Sequence, residues 1–148
     1  MIKIVPMNAS HVAQVAVMEK LCFGDAAWSE RSIASELNNE LALWLVAEEN
    51  GAVAGYVGSQ SVMGESDMMN IAVAPQYRRK GIAQGLVSRL VEMLKEKGNQ
   101  SLSLEVRVSN IPAVSLYEKM GFTQVGRRPN YYRNPKEDAL ILRKEWHV

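Results

Sequence analysis

Leu102, Leu104, Val106 and Val108 occupy alternate positions, with Ser103, Glu105 and Arg107 between them. A period of two puts the apolar set on one face of a strand and the polar set on the other. The segment before it keeps a different period. Ile82, Leu86, Leu90 and Leu94 recur every four residues, which predicts an amphipathic helix from Gly81 to Lys97, stopped by Gly98. Upstream, Ile2 to Val5 reads as a first strand. Asn8 caps a predicted helix running to about Leu21, with Val12, Val15 and Ala16 on one side, and Ser29 caps a shorter helix through Leu37. Leu43 to Glu48 and Val53 to Val62 form a predicted hairpin around Glu49-Asn50-Gly51. Asp67 to Val73 is the next strand, ending at Pro75.

Past the alternating strand, Asn110 caps a short predicted helix that tolerates Pro112 in its first turn. Ala113, Leu116, Tyr117 and Met120 share one of its faces, and Gly121 ends it. Phe122 to Gly126 and Ala139 to Leu142 are the last predicted strands, joined by a polar loop that contains the tyrosines. This order predicts an α/β fold: a mixed sheet with helices on both faces. The strand–helix–strand unit around Gly81 is expected to cross right-handed, laying the strand of Glu105 beside that of Ile71.

The 148 residues and 47% apolar content suit one domain spanning residues 1–148. A net charge of +1 gives no reason to expect nucleic acid or an anionic membrane as partner. No apolar run approaches the about 20 residues needed to cross a bilayer, and the first residues turn polar too soon for a signal peptide. A soluble cytoplasmic protein is expected. His11 and His147 have no ligand-like neighbours and read as surface residues, so no metal is expected. Cys22, in an apolar helical pattern, reads as a buried inert thiol. Met63, Met68 and Met69 read as core filler, and Arg127 and Arg128 as a solvated strand end.

The chemistry concentrates in Val73-Ala74-Pro75-Gln76-Tyr77-Arg78-Arg79-Lys80-Gly81-Ile82-Ala83. A helix start leaves about four backbone N–H groups unpaired at the positive end of its dipole. Gly81 and Ala83 keep side chains away from those groups, and Arg78, Arg79 and Lys80 add three cations beside them. The arrangement suits a phosphate; a solvated basic turn before an ordinary helix is the alternative.

Arg78-x-x-Gly81-x-Ala83, after a strand ending Ala72-Val73-Ala74-Pro75, resembles the acetyl-CoA signature of the GCN5-related N-acetyltransferases. Ser109-Asn110, Ala113 and Leu116-Tyr117-Glu118-Lys119-Met120-Gly121-Phe122 resemble that family's second hallmark. A narrower resemblance lies in Ala27-Trp28-Ser29-Glu30, Asn70-Ile71-Ala72-Val73, Leu104-Glu105-Val106-Arg107-Val108-Ser109-Asn110 and Asn130-Tyr131-Tyr132 before Glu137-Asp138-Ala139. These are similar to the branch that acetylates the N-terminal alanine of a small-subunit ribosomal protein. The chain departs from that branch at Ala27, where Pro is common, at Ala83, where Gly is common, and at Pro129 before the tyrosines.

The resemblance implies a mostly antiparallel acyl-CoA N-acyltransferase fold, acetyl-CoA as co-substrate and a ribosomal protein N-terminus as peptide partner. It implies carbonyl polarisation by backbone N–H groups of Ile71, Ala72 and Val73, where the fourth strand splays. It rests the pyrophosphate on the backbone of Arg79, Lys80, Gly81, Ile82, Ala83 and Gln84, counts Arg78 among the cofactor-binding residues, and gives Asn110 a pantetheine contact, with helix capping as the ordinary alternative. Glu105 is the implied base and Tyr117 the implied acid. From the residues alone, Glu105 equally suits a surface pair with Arg107, and Tyr117 a core ring beside Leu116. Trp28, Tyr131 and Tyr132 are expected to line an acceptor groove or to pack under loops. At pH 7 roughly a tenth of an α-amine is neutral, against about one lysine in 2,500, so an α-amine needs only modest base assistance. A lysine, polyamine or other small amine as acceptor, and a catalytically silent acyl-CoA-binding module, are the competing readings.

Overall fold

The computed structural model describes residues 1–146, so the expectation for His147 lies outside the described residues. Seven strands form one sheet: β1 Lys3–Pro6, β2 Ala42–Glu49, β3 Ala52–Val62, β4 Glu65–Val73, β5 Ser101–Arg107, β6 Thr123–Tyr132 and β7 Glu137–Glu145. Their order is β1-β2-β3-β4-β5-β7-β6. Every neighbouring pair is antiparallel except β4 and β5, which are parallel across a helical connection. The helices are α1 Val12–Phe23, α2 Glu30–Glu36, α3 Ile82–Glu96 and α4 Ile111–Lys119. The mixed sheet covered on both faces matches the expectation, and Glu105's strand does lie beside that of Ile71.

Two cores result. Leu86, Leu90 and Leu94 of α3 are fully buried against Leu45, Val57, Leu102 and Leu104, in a core that also takes Tyr117 and Phe122. Each such leucine contributes about 1.5–3 kcal/mol of burial. On the other face, Val12, Val15 and Met18 of α1 and Ile33 of α2 pack on Trp44, Val46, Tyr56 and Ala72. Gly58 lies opposite Trp44, and a side chain there would enter the indole ring. Among the described residues, no helix is long and apolar enough to cross a membrane.

Several expectations are corrected. The last strands run Thr123–Tyr132 and Glu137–Glu145, so Tyr131 and Tyr132 end a strand instead of occupying a loop. β6 is an edge strand exposed along most of its length, with register shifts at Gln124/Gly126 and Arg128/Tyr132, so it shows no apolar alternation. An edge also tolerates Pro129. His11 is buried, not on the surface. Its Nδ1 accepts the Asn8 N–H at 3.1 Å, which leaves the proton of a neutral ring on Nε2, facing Glu48 at 2.7 Å. Cys22 is exposed, because its turn of α1 faces away from the sheet. Met68 fills the core, but Met63 sits on a tight turn at 97% exposure and Met69 is also exposed.

Candidate active site

The β4–β5 ladder is short. Glu65, Ser66 and Asp67 pair with Ser101, Leu102 and Ser103, and beyond that point no pairing joins the strands, although β4 continues to Val73 and β5 to Arg107. On its other side β4 stays paired with β3 as far as Val73, with a register shift that leaves Met69 without a partner. Ala74 donates to the Ala54 carbonyl at 2.8 Å. Antiparallel alternation therefore turns the Ala72 N–H toward β3 and the N–H groups of Ile71 and Val73 into the gap. The Val73 carbonyl, on the same side, accepts Arg78 Nε at 3.1 Å. Of the three donors expected from sequence, two face the opening and the Ala72 amide is turned to the sheet.

α3 begins beside this gap. Gly81 is its cap residue, at φ 75°, and offers no side-chain cap. The first internal bond runs from Gly85 N–H to the Gly81 carbonyl at 3.0 Å, so Ile82, Ala83 and Gln84 present N–H groups without helical partners. A side chain on Gly81 would meet nothing within 4 Å, so the left-handed backbone, not crowding, demands glycine there. Arg79 is also left-handed, at φ 64°. Such a conformation costs a non-glycine residue roughly 1–2 kcal/mol and helps turn successive amides to one side. Arg78, Arg79 and Lys80 are exposed around these groups, with Lys80 Nζ 5.5 Å above the Tyr77 ring.

Glu105 stands on the polar face of β5, with its side chain 28% exposed. Its cation is Arg128, at 3.8 Å, and not Arg107. Arg107 instead bonds Glu137 at 3.2 Å and the carbonyls of Pro135 and Arg133, and lies 4.4 Å over the Tyr132 ring. The surface Glu105–Arg107 pair therefore does not form. Burial raises the Glu105 carboxyl above its ordinary range; Arg128 opposes this and Asp67 adds to it. A carboxylate shifted upward is a better base. Tyr117 is buried edge-on to Phe122, with ring centres 5.6 Å apart. Burial pushes its phenol up to about 12. Among the described residues its hydroxyl takes no protein partner, yet it is not among the polar atoms sealed from solvent. The core-ring reading holds, and the hydroxyl stays accessible, as the acid role would require. Asn110 caps α4 by accepting the Ala113 N–H at 3.3 Å.

The aromatic candidates divide. Tyr131 and Tyr132 pack edge-to-face 5.0 Å apart at the end of β6, Arg128 lies 5.9 Å over Tyr131, and burial, then Tyr131 and the Glu105 charge, push the Tyr132 phenol up to about 12. They join Glu105 through Arg128. Trp28 lies half-buried before α2, edge-on to Trp44 at 5.5 Å. Among the described residues, no three His, Cys, Asp or Glu side chains cluster to hold a metal.

Residues 12–122 match the profile of the Acetyltransferase (GNAT) family. The chain belongs to this family. A Bacillus subtilis (strain 168) protein provisionally named ribosomal protein bS18-alanine N-acetyltransferase is 46% identical over 116 residues, covering 78% of this chain and 77% of the relative. The Escherichia coli (strain K12) ribosomal protein bS18-alanine N-acetyltransferase is 39% identical over 117 residues, covering 78% of each. The crystal structure of the ribosomal-protein-S18-alanine N-acetyltransferase from Escherichia coli superposes with a TM-score of 0.89 at 33% identity, covering 100% of this chain and 96% of that one.

Around the candidate site of this GNAT chain stand further residues that the motifs do not include. Arg127 and Arg128 are no mere solvated strand end: Arg127 bonds Asp138 at 2.8 Å, and Arg128 reaches Glu105. That contact depends on the β6–β7 register, which exposed polar residues do not advertise. Glu19 is fully buried and accepts three hydrogen bonds behind β4. A signal for it was present, since Val12, Val15 and Glu19 share one helical stripe with a charge on its apolar side.

Proposed function

We propose that this GNAT enzyme transfers the acetyl group of acetyl-CoA to a protein N-terminal α-amine, with the N-terminal alanine of ribosomal protein bS18 as its acceptor. The observation that carries the reading is the placement of Glu105 and the open Ile71 and Val73 amides on the two sides of one strand gap. The names of the relatives support the acceptor. The whole of residues 1–148 then acts as one catalytic domain in the cytoplasm, on protein termini and not on nucleic acid or membranes.

In this reading, the α3 N–H groups of Ile82, Ala83 and Gln84 grip the pyrophosphate, helped by Arg78, Arg79 and Lys80, and Asn110 lies along the pantetheine. The Ile71 and Val73 amides polarise the thioester carbonyl. Such donors act most strongly when fixed beforehand in a site that excludes water. Trp28, Tyr131 and Tyr132 line the acceptor groove. The neutral amine attacks the carbonyl carbon, forming the C–N bond as the C–S bond breaks. Glu105, directly or through one water, takes the proton the nitrogen loses, and the sulfur leaves as a thiolate beside the Tyr117 hydroxyl. The thiolate gains one proton, so the products are the acetamide and the free thiol.

The test of acceptor class is a panel of Ala-, Ser- and Met-initiated peptides against free lysine, polyamines and small amines. The bS18-derived Ala peptide is expected to show the highest kcat/KM. Preference for a free amine defeats the acceptor assignment, and acetyl-CoA binding without transfer to any amine defeats catalysis.

A second test separates coenzyme binding from folding. Ala83→Asp puts a carboxylate on the second residue of α3. It favours the helix dipole by about 0.3–1 kcal/mol, so the melting temperature is expected to hold or rise. It also confronts the pyrophosphate with negative charge, at roughly 2 kcal/mol, or about 30-fold in acetyl-CoA Kd. Calorimetry and thermal melts should move in opposite directions; unchanged affinity places the nucleotide elsewhere.

A further inference from the structure

Glu19 lies in α1, 0% exposed, and among the described residues no cation bonds its carboxylate. It accepts Tyr56 Oη at 2.7 Å, Asn70 Nδ2 at 2.7 Å and the Trp28 N–H at 2.9 Å. Burying a carboxyl is costly unless hydrogen bonds satisfy it, and these three donors do so. What the carboxylate adds is a joint between three segments. Tyr56 belongs to β3, which is paired along both edges and already placed by the sheet. Asn70 belongs to the part of β4 past its last β5 pair and beside the unpaired Met69, where β3 alone among the described strands pairs with it. It directly precedes Ile71, whose N–H faces the gap. Trp28 belongs to the irregular segment before α2, which the proposed function sets beside the acceptor.

We propose that Glu19 is a positioning residue for acetyl transfer: it ties the half-free end of β4, with the carbonyl-polarising Ile71 amide, to the Trp28 segment that meets the acceptor. This rests on the acetyltransferase reading above. The three bonds are not equivalent. The Asn70 bond sets a strand that lacks a second neighbour. The Tyr56 bond holds a strand the sheet already holds. Both delete one donor to the same carboxylate, so a role in stability alone predicts similar consequences for losing either.

The experiment compares Asn70→Ala, Tyr56→Phe and Glu19→Met by single-turnover kinetics, acetyl-CoA calorimetry and isotope-edited infrared spectra of bound acetyl-CoA labelled at its carbonyl carbon. In the wild type the bound carbonyl stretch is expected below that of free acetyl-CoA. Asn70→Ala is expected to move it back toward the free value and to lower the acetyl-transfer rate about 10- to 100-fold, the scale of a misplacement near 1 Å. Its acetyl-CoA Kd should stay within threefold, since the phosphate grip lies on α3. Tyr56→Phe should keep both rate and stretch. Glu19→Met should repeat the Asn70→Ala spectrum where it folds; the two single-donor variants decide the matter where it does not. Equal effects of Asn70→Ala and Tyr56→Phe, or a wild-type rate and stretch in Asn70→Ala, overturn the proposal. A wild type that binds acetyl-CoA but acetylates no amine sinks the catalytic reading while the carbonyl stretch still reports on the tether. A wild type that does not bind acetyl-CoA removes both.

Discussion

Glu105→Gln is expected to lower kcat/KM for an Ala-initiated peptide by about 10²- to 10⁴-fold, the range of a lost general base. Acetyl-CoA affinity should persist, because the coenzyme contacts proposed on α3 do not involve β5. The pH profile is the sharper readout. As a base, Glu105 must be deprotonated, so activity falls as pH drops through its pKa, which burial has raised. Above that limb the rate still rises until the substrate α-amine loses its own proton near pH 8. In Glu105→Gln the lower limb should vanish and the amine ionisation alone should remain. Arg128 holds the Glu105 carboxyl down from 3.8 Å, so Arg128→Gln should shift the acid limb to higher pH. A shift to lower pH, or a profile unchanged by either substitution, assigns the base elsewhere.

Tyr117→Phe is expected to slow the chemical step about 100-fold with little change in stability. Phenylalanine keeps the ring that packs on Phe122, and the hydroxyl it removes has no protein partner among the described residues. The direction of the pKa shift sets the role. A phenol near 12 stays protonated across the working range, so Tyr117 should add no limb to the profile below about pH 10. A thiol has pKa ~8.5, so complete transfer of the Tyr117 proton to the thiolate is uphill by roughly 3.5 units, or about 5 kcal/mol. In the proposed mechanism this leaves Tyr117 the part of a hydrogen-bond donor to the departing sulfur, with solvent completing the thiol. Single-turnover stopped flow isolates this step from product release. Wild-type rates in the Phe variant would leave the tyrosine a purely structural ring.

Some features were local and therefore legible. The period of Ile82, Leu86, Leu90 and Leu94 reports one buried face of one helix, and Gly81 reports a left-handed backbone. The alternation around Glu105 reports which side of β5 is wet. The illegible parts depend on pairing. Phe122 to Gly126 shows less than half of β6, because an edge strand with register shifts and two exposed faces carries no hydrophobic period. His11 looked like a surface residue because nothing nearby in sequence announces Glu48, 37 positions away.

By itself the sequence determined the elements, their order, the sheet covered on both faces, the anion-ready start of α3 and the residues that resemble an acetyl-CoA site, since each follows from periodicity, backbone sterics or a short motif. The tertiary structure alone decided that β4 parts from β5 after Asp67, that Ile71 and Val73 but not Ala72 turn their amides to the gap, that Arg128 and not Arg107 accompanies Glu105, and that Glu19 joins three segments behind the site. Each of these is a contact between residues distant along the chain. Its energy depends on strand register and burial, which no local pattern encodes.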